Sequence, residues 1–158
     1  MERQKEEMRV KLNQIVTMLI DSCMPNAKNA ESKVFFMNLI GDFYRYQIEL
    51  IKVEDVPVYD LSPIQKKTRR DRDNLMQRAT ESYYEAFKLA VAYLNPCNAT
   101  RLAITLNYTI FLADFKKDRQ KAITLSTIIQ ELALTRIDDS VSPESRFSQE
   151  ENELIENI

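Results

Sequence analysis

The chain has 158 residues, with 22 basic and 24 acidic side chains and a formal net charge of −2. At 44% hydrophobic and 29% charged residues it has the make-up of a folded protein, and the balanced charge gives no field of one sign to draw in nucleic acid or an anionic membrane. The absence of His excludes Ser-His-Asp and Cys-His catalysis and His-ligated zinc within the chain, and the single Gly excludes a Gly-rich nucleotide loop.

Cys23 and Cys97 are too few for a thiolate metal site and read as reduced thiols. No metal and no cofactor is expected. The opening residues, Met1-Glu2-Arg3-Gln4-Lys5-Glu6-Glu7, are charged and lack the apolar stretch of a signal peptide. No apolar run approaches the roughly 18 residues that span a bilayer. A cytoplasmic chain is expected, with the nucleus also open to it.

The spacing of apolar residues is helical almost throughout. Met8, Leu12, Ile15, Val16, Leu19, Ile20 and Cys23 recur at three and four residues, which predicts an amphipathic helix ended by Pro25. A short loop over 26–29 leads to a second helix, from about Ala30 to Val53, with a stripe of Val34, Phe35, Leu39, Phe43, Tyr46 and Leu50. Gly41 in its middle costs about 1 kcal/mol relative to Ala, which the close approach of a neighbouring helix would offset.

Residues of about 54–74 break the pattern with Pro57 and Pro63 and are expected to form an exposed, irregular insertion. Its run Lys66-Lys67-Thr68-Arg69-Arg70 fits a phosphate-binding or nuclear-import patch. Interleaved with Asp71 and Asp73, it is better read as a solvated loop. Helical spacing resumes near Leu75 with Ala79, Tyr83, Ala86, Phe87, Ala90 and Leu94, until Asn95-Pro96. A fourth helix carries Leu102, Leu106, Ile110 and Ala113 on one side, widened by Ile104, Tyr108, Phe111 and Phe115, and should be buried on most sides. Asp118 suits the N-cap of a fifth, with Ala122, Leu125, Ile129, Leu132 and Ile137. Ser142-Pro143-Glu144 would open a short sixth. The expected fold is all-α: an antiparallel array of about six helices, with 1–158 forming a single partial domain.

Within these helices a few polar residues are placed for binding. Asp42 and Arg45, three apart, share a face and can pair. An Arg beside a Tyr hydroxyl, as at Arg45 and Tyr46, suits a phosphate. Asn107, between Leu106 and Ile110, can hydrogen-bond a peptide backbone through both halves of its amide. Asp114, two turns further along the same face, could take a backbone N–H or a basic side chain. On spacing alone the bland readings are stronger: a surface ion pair of little worth and a satisfied structural amide. No residue set suggests catalysis, so no enzyme is expected.

The residue identities say more. Glu31-Ser32-Lys33-Val34-Phe35-Phe36 running into Gly41-Asp42-Phe43-Tyr44-Arg45-Tyr46 closely resembles the 14-3-3 proteins, whose helix reads E-S-K-V-F-Y and then G-D-Y-Y-R-Y. Tyr84-Glu85-Ala86-Phe87 is similar to the family's Y-x-E-A-F segment, with the tyrosine displaced. Arg101-Leu102-Ala103-Ile104-Thr105-Leu106-Asn107-Tyr108-Thr109-Ile110-Phe111 resembles its R-L-G-L-A-L-N-F-S-V-F helix.

The resemblance implies an all-helical adaptor that grips phosphoserine or phosphothreonine peptides of phosphorylated partner proteins. It implies Arg45 and Tyr46 on the phosphate, Asn107 on the peptide main chain, Leu106 and Ile110 on the apolar side of the groove, and Asp114 where the family has Glu. Departures accompany it. The chain opens inside what resembles the last of the family's four N-terminal helices. The helix with two further phosphate-binding basic residues, and the helices of the family's dimer interface, are therefore expected to be absent. Asn38 and Ile40 stand where the family has lysines. The expectation is weakened phosphopeptide binding, no family-type dimer, no nucleic acid and no membrane. The alternatives are a non-catalytic, tetratricopeptide-like helical scaffold, although no clean period of about 34 residues recurs, and a degenerate paralogue without phosphopeptide binding.

Overall fold

A computed structural model describes residues 2–53 and 57–138. Five α-helices follow one another: α1 (Glu2–Met18), α2 (Ala30–Leu50), α3 (Pro63–Tyr93), α4 (Ala99–Asp114) and α5 (Arg119–Asp138). A π-helical turn, Leu19–Cys23, extends α1, and a 3-10 turn, Val58–Asp60, precedes α3. There is no strand among the described residues, and the all-α array is as expected. The sixth helix expected beyond Ser142, and the side chain of Ile137, lie outside the described residues.

Local chemistry sets the helix starts. The Asn29 side chain accepts the Ser32 N–H at 2.7 Å, and Asn98 accepts that of Arg101 at 3.0 Å. Asp118 accepts the Lys121 N–H at 3.1 Å, the cap expected of it. At the end of α4, Lys117 takes a left-handed φ of 59° and the Asp118 N–H donates to the Leu112 carbonyl at 3.0 Å. This reverses the chain tightly into α5.

The irregular insertion expected up to residue 74 ends instead at Ser62. Ser62 and Gln65 form a reciprocal capping box, with Pro63 in the first turn, where its missing N–H costs nothing. The proline that read as a breaker is a helix start, and α3 runs for 31 residues. The basic cluster therefore lies on its first turns.

Two predicted stripes are also rotated. On α2 the residues facing the core are Val34, Ile40, Gly41, Tyr44 and Ile48, while Phe35 and Tyr46 are exposed. On α4, Ile104, Tyr108, Phe111 and Leu112 are buried, and Leu102, Leu106 and Ile110 are exposed. The α3 stripe falls as predicted, with Ala79, Tyr83, Ala86, Phe87 and Ala90 buried.

The centre of the array is α2, against which α1, α3 and α4 all pack. Gly41 is where α3 comes closest: a Cβ there would lie 3.0 Å from the Tyr83 ring. Tyr83 is fully buried, with the rings of Phe111 and Tyr108 centred 4.9 and 6.4 Å away. Arg101, also fully buried, donates to the Leu94 carbonyl at 3.0 Å and so ties α4 to the end of α3. Among the described residues no helix is long and apolar enough to cross a membrane.

Candidate functional site

The exposed faces of α2 and α4 lie side by side. Their N-terminal ends are pinned by Glu31, which accepts from the Thr100 hydroxyl at 2.7 Å and from Asn98 Nδ2 at 3.3 Å. These two donors hold the Glu31 carboxyl below its ordinary pKa.

Further along, a chain of side-chain hydrogen bonds crosses between the helices. Asn107 Nδ2 on α4 donates to Asn38 Oδ1 on α2 at 3.4 Å, and Asn38 Nδ2 donates to Asp42 Oδ2 at 3.1 Å. The Tyr83 hydroxyl of α3 donates to Asp42 Oδ1 at 2.6 Å and accepts from Arg45 Nε at 3.2 Å. Arg45 completes the network with Nη2 at 3.4 Å from Asp42 Oδ1 and Nη1 at 3.2 Å from Glu49 Oε1. Its guanidinium carbon lies 4.7 Å from the centre of the Tyr46 ring.

The electrostatics follow from this arrangement. Burial works against the Arg45 charge, but the Tyr83 bond and the Asp42 carboxylate raise its pKa above the ordinary value. Burial, and then the bond to Asp42, push the Tyr83 hydroxyl well above the ordinary phenol range, with Arg45 pulling the other way. At neutral pH Tyr83 is therefore a protonated phenol that donates to Asp42 and receives from Arg45.

Of the six residues singled out in the sequence, Arg45 and Asn107 are joined through Asn38 and Asp42. Tyr46 joins Arg45 through its ring face, and is 40% exposed. Leu106 and Ile110, 59% and 41% exposed, form with Leu102 an apolar ridge beside the polar residues of α2. Asp114 lies exposed in the last turn of α4, outside the network. Among the described residues no group of three or more His, Cys, Asp or Glu could hold a metal ion.

Sequence reasoning missed the structural centre of the site. Tyr83 read only as core, and the signal that could have singled it out is general: a buried tyrosine hydroxyl needs a partner. Asn38 was marked only as standing where the family has a lysine, and Glu49 gave no signal, since it stood on an ordinary charged face.

The network sits in a chain whose sequence is matched over nearly its whole length by one family. The profile described as 14-3-3 protein covers residues 1–157, and the chain belongs to the 14-3-3 family. It is 27% identical to 14-3-3-like protein 2 of Caenorhabditis elegans, over 87% of this chain and 49% of that protein. It is 32% identical to a 14-3-3 protein of Eimeria tenella, over 84% of this chain and 42% of that protein. With 14-3-3 protein 3 of Entamoeba histolytica it shares 25% identity, over 90% and 52% of the two chains. The chain spans about half the length of the curated relatives it matches.

Proposed function

We propose that the chain is a non-catalytic adaptor that holds phosphoserine or phosphothreonine segments of partner proteins in the groove between α2 and α4. Arg45 and Tyr46 take the phosphate, Asn107 the peptide main chain, and Leu106 and Ile110 the apolar side chains. Asp114 takes a backbone N–H or a basic residue at the end of the groove. The observation that carries the reading is the hydrogen-bonded chain from Asn107 through Asn38 and Asp42 to Arg45, which fixes amide and guanidinium in one groove beside an exposed apolar ridge.

The affinity is weak on this reading. Arg45 already faces two carboxylates, Asp42 and Glu49, which an incoming dianion must tolerate or displace. Asn38 is neutral where the resemblance places a lysine. Each charge-assisted hydrogen bond is worth roughly 1.5–3 kcal/mol, so the loss of a basic partner at position 38 alone weakens phosphate binding by about one to two powers of ten. We place the adaptor in the cytoplasm, a setting in keeping with Cys23 and Cys97 standing outside any disulfide.

The test is fluorescence anisotropy of the 158-residue chain at low salt, with a basic-x-x-phosphoserine-x-proline peptide and its unphosphorylated twin. The phosphopeptide should bind more tightly, and Arg45→Glu should abolish the difference. Equal affinity of the wild-type chain for the two peptides would reject phosphate recognition and leave a family fold without it.

A further inference from the structure

The side of α2 turned away from the network carries a second row of apolar residues. Met37, Ile40 and Tyr44 lie three and four residues apart, roughly 130° around the helix from Asn38, Asp42 and Arg45. They floor a cleft of about 500 Å³ between the end of α1 and the middle of α3, both of which pack on α2. Ile40 and Tyr44 are buried, Met37 and Met24 are half-buried, and Ile20 stands 44% exposed at the rim. No residue assigned to the peptide groove lines this cleft.

Ile20 and Met24 belong to the π-helical turn that extends α1 and to its cap. The Met24 N–H donates to the Leu19 carbonyl at 2.8 Å, and Leu19 itself stays in the core. Such turns are rare and recur at functional sites. Methionine at two places in the lining gives a soft surface that adapts to different partners.

The α3 wall is charged, with Arg78, Glu81 and Glu85. Arg78 is already engaged: its Nε donates to Asn74 Oδ1 at 3.3 Å, and its guanidinium carbon lies 5.9 Å from the centre of the Tyr44 ring. Glu81 accepts from Gln77 Nε2 at 2.8 Å but has no ion pair among the described residues. Glu85 has neither a hydrogen bond nor an ion pair among them. Asp21, between Ile20 and Met24 in sequence, is exposed and likewise without a described partner. The apolar floor is thus bordered by carboxylates that no cation neutralises.

We propose that this cleft is a docking site for a cationic amphipathic helix of a partner protein, separate from the peptide groove. The floor from Met37 to Tyr44 runs for about 10 Å, or two helical turns. That length receives apolar anchors at positions i, i+3 or i+4, and i+7 of a partner helix. Lys or Arg side chains flanking those anchors meet Glu81 and Glu85, one turn apart, on one side and Asp21 on the other. Burial of the anchors supplies the affinity, and the exposed charges select the sign of the partner.

The experiment is an NMR titration of the 158-residue chain, labelled at its Ile and Met methyl groups, at constant ionic strength. The probes are a synthetic amphipathic helix of Leu and Lys, about four turns long, and a twin with Glu in place of every Lys. The methyl signals of Ile20, Met24, Met37 and Ile40 should shift saturably, with the lysine peptide bound roughly tenfold or more tightly than its twin. The exposed double substitution Glu81→Lys/Glu85→Lys should reverse that preference while leaving the melting temperature within a few degrees of wild type. Ile20→Ser, at the exposed rim, should weaken the lysine peptide severalfold. Equal affinity for the two peptides would mean that charge does not select the occupant. Shifts confined to the Ile110 methyl would place the peptide on the α4 ridge instead. Cleft signals that move on dilution of the chain alone, with a dimer by sedimentation equilibrium, would assign the cleft to a second copy. Each of these three results would overturn the proposal.

Discussion

Tyr83→Phe isolates the bond on which the α2–α3 junction turns. The ring stays, and with it the contacts to Gly41, Phe111 and Tyr108, so no cavity of consequence opens. What is lost is one hydroxyl that donates to the Asp42 carboxylate at 2.6 Å and accepts from Arg45 at 3.2 Å. The first is a short, charge-assisted bond and is worth roughly 1.5–3 kcal/mol. The second is partly replaced, because Arg45 Nη2 already lies 3.4 Å from the same Asp42 oxygen. Water offers Asp42 only limited rescue, since its side chain is 13% exposed. The expected loss is about 1.5–3 kcal/mol, which for a chain of this size lowers the melting temperature by roughly 3–12 °C. Urea unfolding followed by circular dichroism, with coincident transitions by tyrosine fluorescence, measures it. A double-mutant cycle with Asp42→Asn should show a coupling of about 1 kcal/mol or more. A Tyr83→Phe chain within about 0.5 kcal/mol of wild type, or additive effects in the cycle, would refute the assignment of this hydroxyl as the clasp.

Gly41→Ala sets two effects against each other: a gain of about 1 kcal/mol in helix propensity and an overpacking cost of about 1–3 kcal/mol. Tyr83 is boxed in by Phe111 and Tyr108 and cannot give way, so we expect a net loss of up to about 2 kcal/mol by urea unfolding; a chain as stable as wild type would show that it can. Burial pushes the Tyr108 hydroxyl up to about 12, and Tyr83 is raised further, while an unfolded tyrosine titrates near 10. Their contribution to stability is therefore complete below about pH 10 and is lost as pH rises towards the folded values. The urea midpoint should fall over that window as phenolate absorbance appears, and a flat midpoint would contradict the raised pKa values.

How far the sequence reached depends on how many faces of a helix are apolar. In α3 a single apolar stripe of Ala79, Tyr83, Ala86, Phe87 and Ala90 meets the core, and periodicity locates it. In α2 and α4 one apolar face meets the core and another is left exposed. Phe35, Leu102, Leu106 and Ile110 therefore match the helical period without being buried. Period alone cannot assign which stripe is inside, because burial is decided by the neighbouring helix and not by the sequence of the helix itself. The end of the insertion was legible in principle, since Ser62-Pro63 with Gln65 is a capping signal, but the neighbouring charges made it read as loop. In the site, the Asp42–Arg45 pair follows from spacing and is found at 3.4 Å. Tyr83 is 41 residues from Asp42, and no local pattern announces a bond over that separation.

The same network sets what a ligand at Arg45 would have to exchange on the proposed reading. The two carboxylates beside Arg45 are not equivalent. Asp42 is 13% exposed and is held by Tyr83 and Asn38 as well as by Arg45. Glu49 is 48% exposed, and its described bond is the one to Arg45 Nη1. An exposed ion pair of that kind is worth little, about 0–1 kcal/mol. A phosphate would therefore displace Glu49 and leave Asp42 in place, gaining Nη1 but remaining close to a fixed negative charge. Asn107 is similarly asymmetric: its 3.4 Å bond to Asn38 is long and readily given up to a peptide carbonyl. Its release would cost Asn38 one acceptor contact while its bond to Asp42 persists. The network is thus ordered by partners of unequal strength, and those that a peptide would have to replace on the proposed reading are the weak ones.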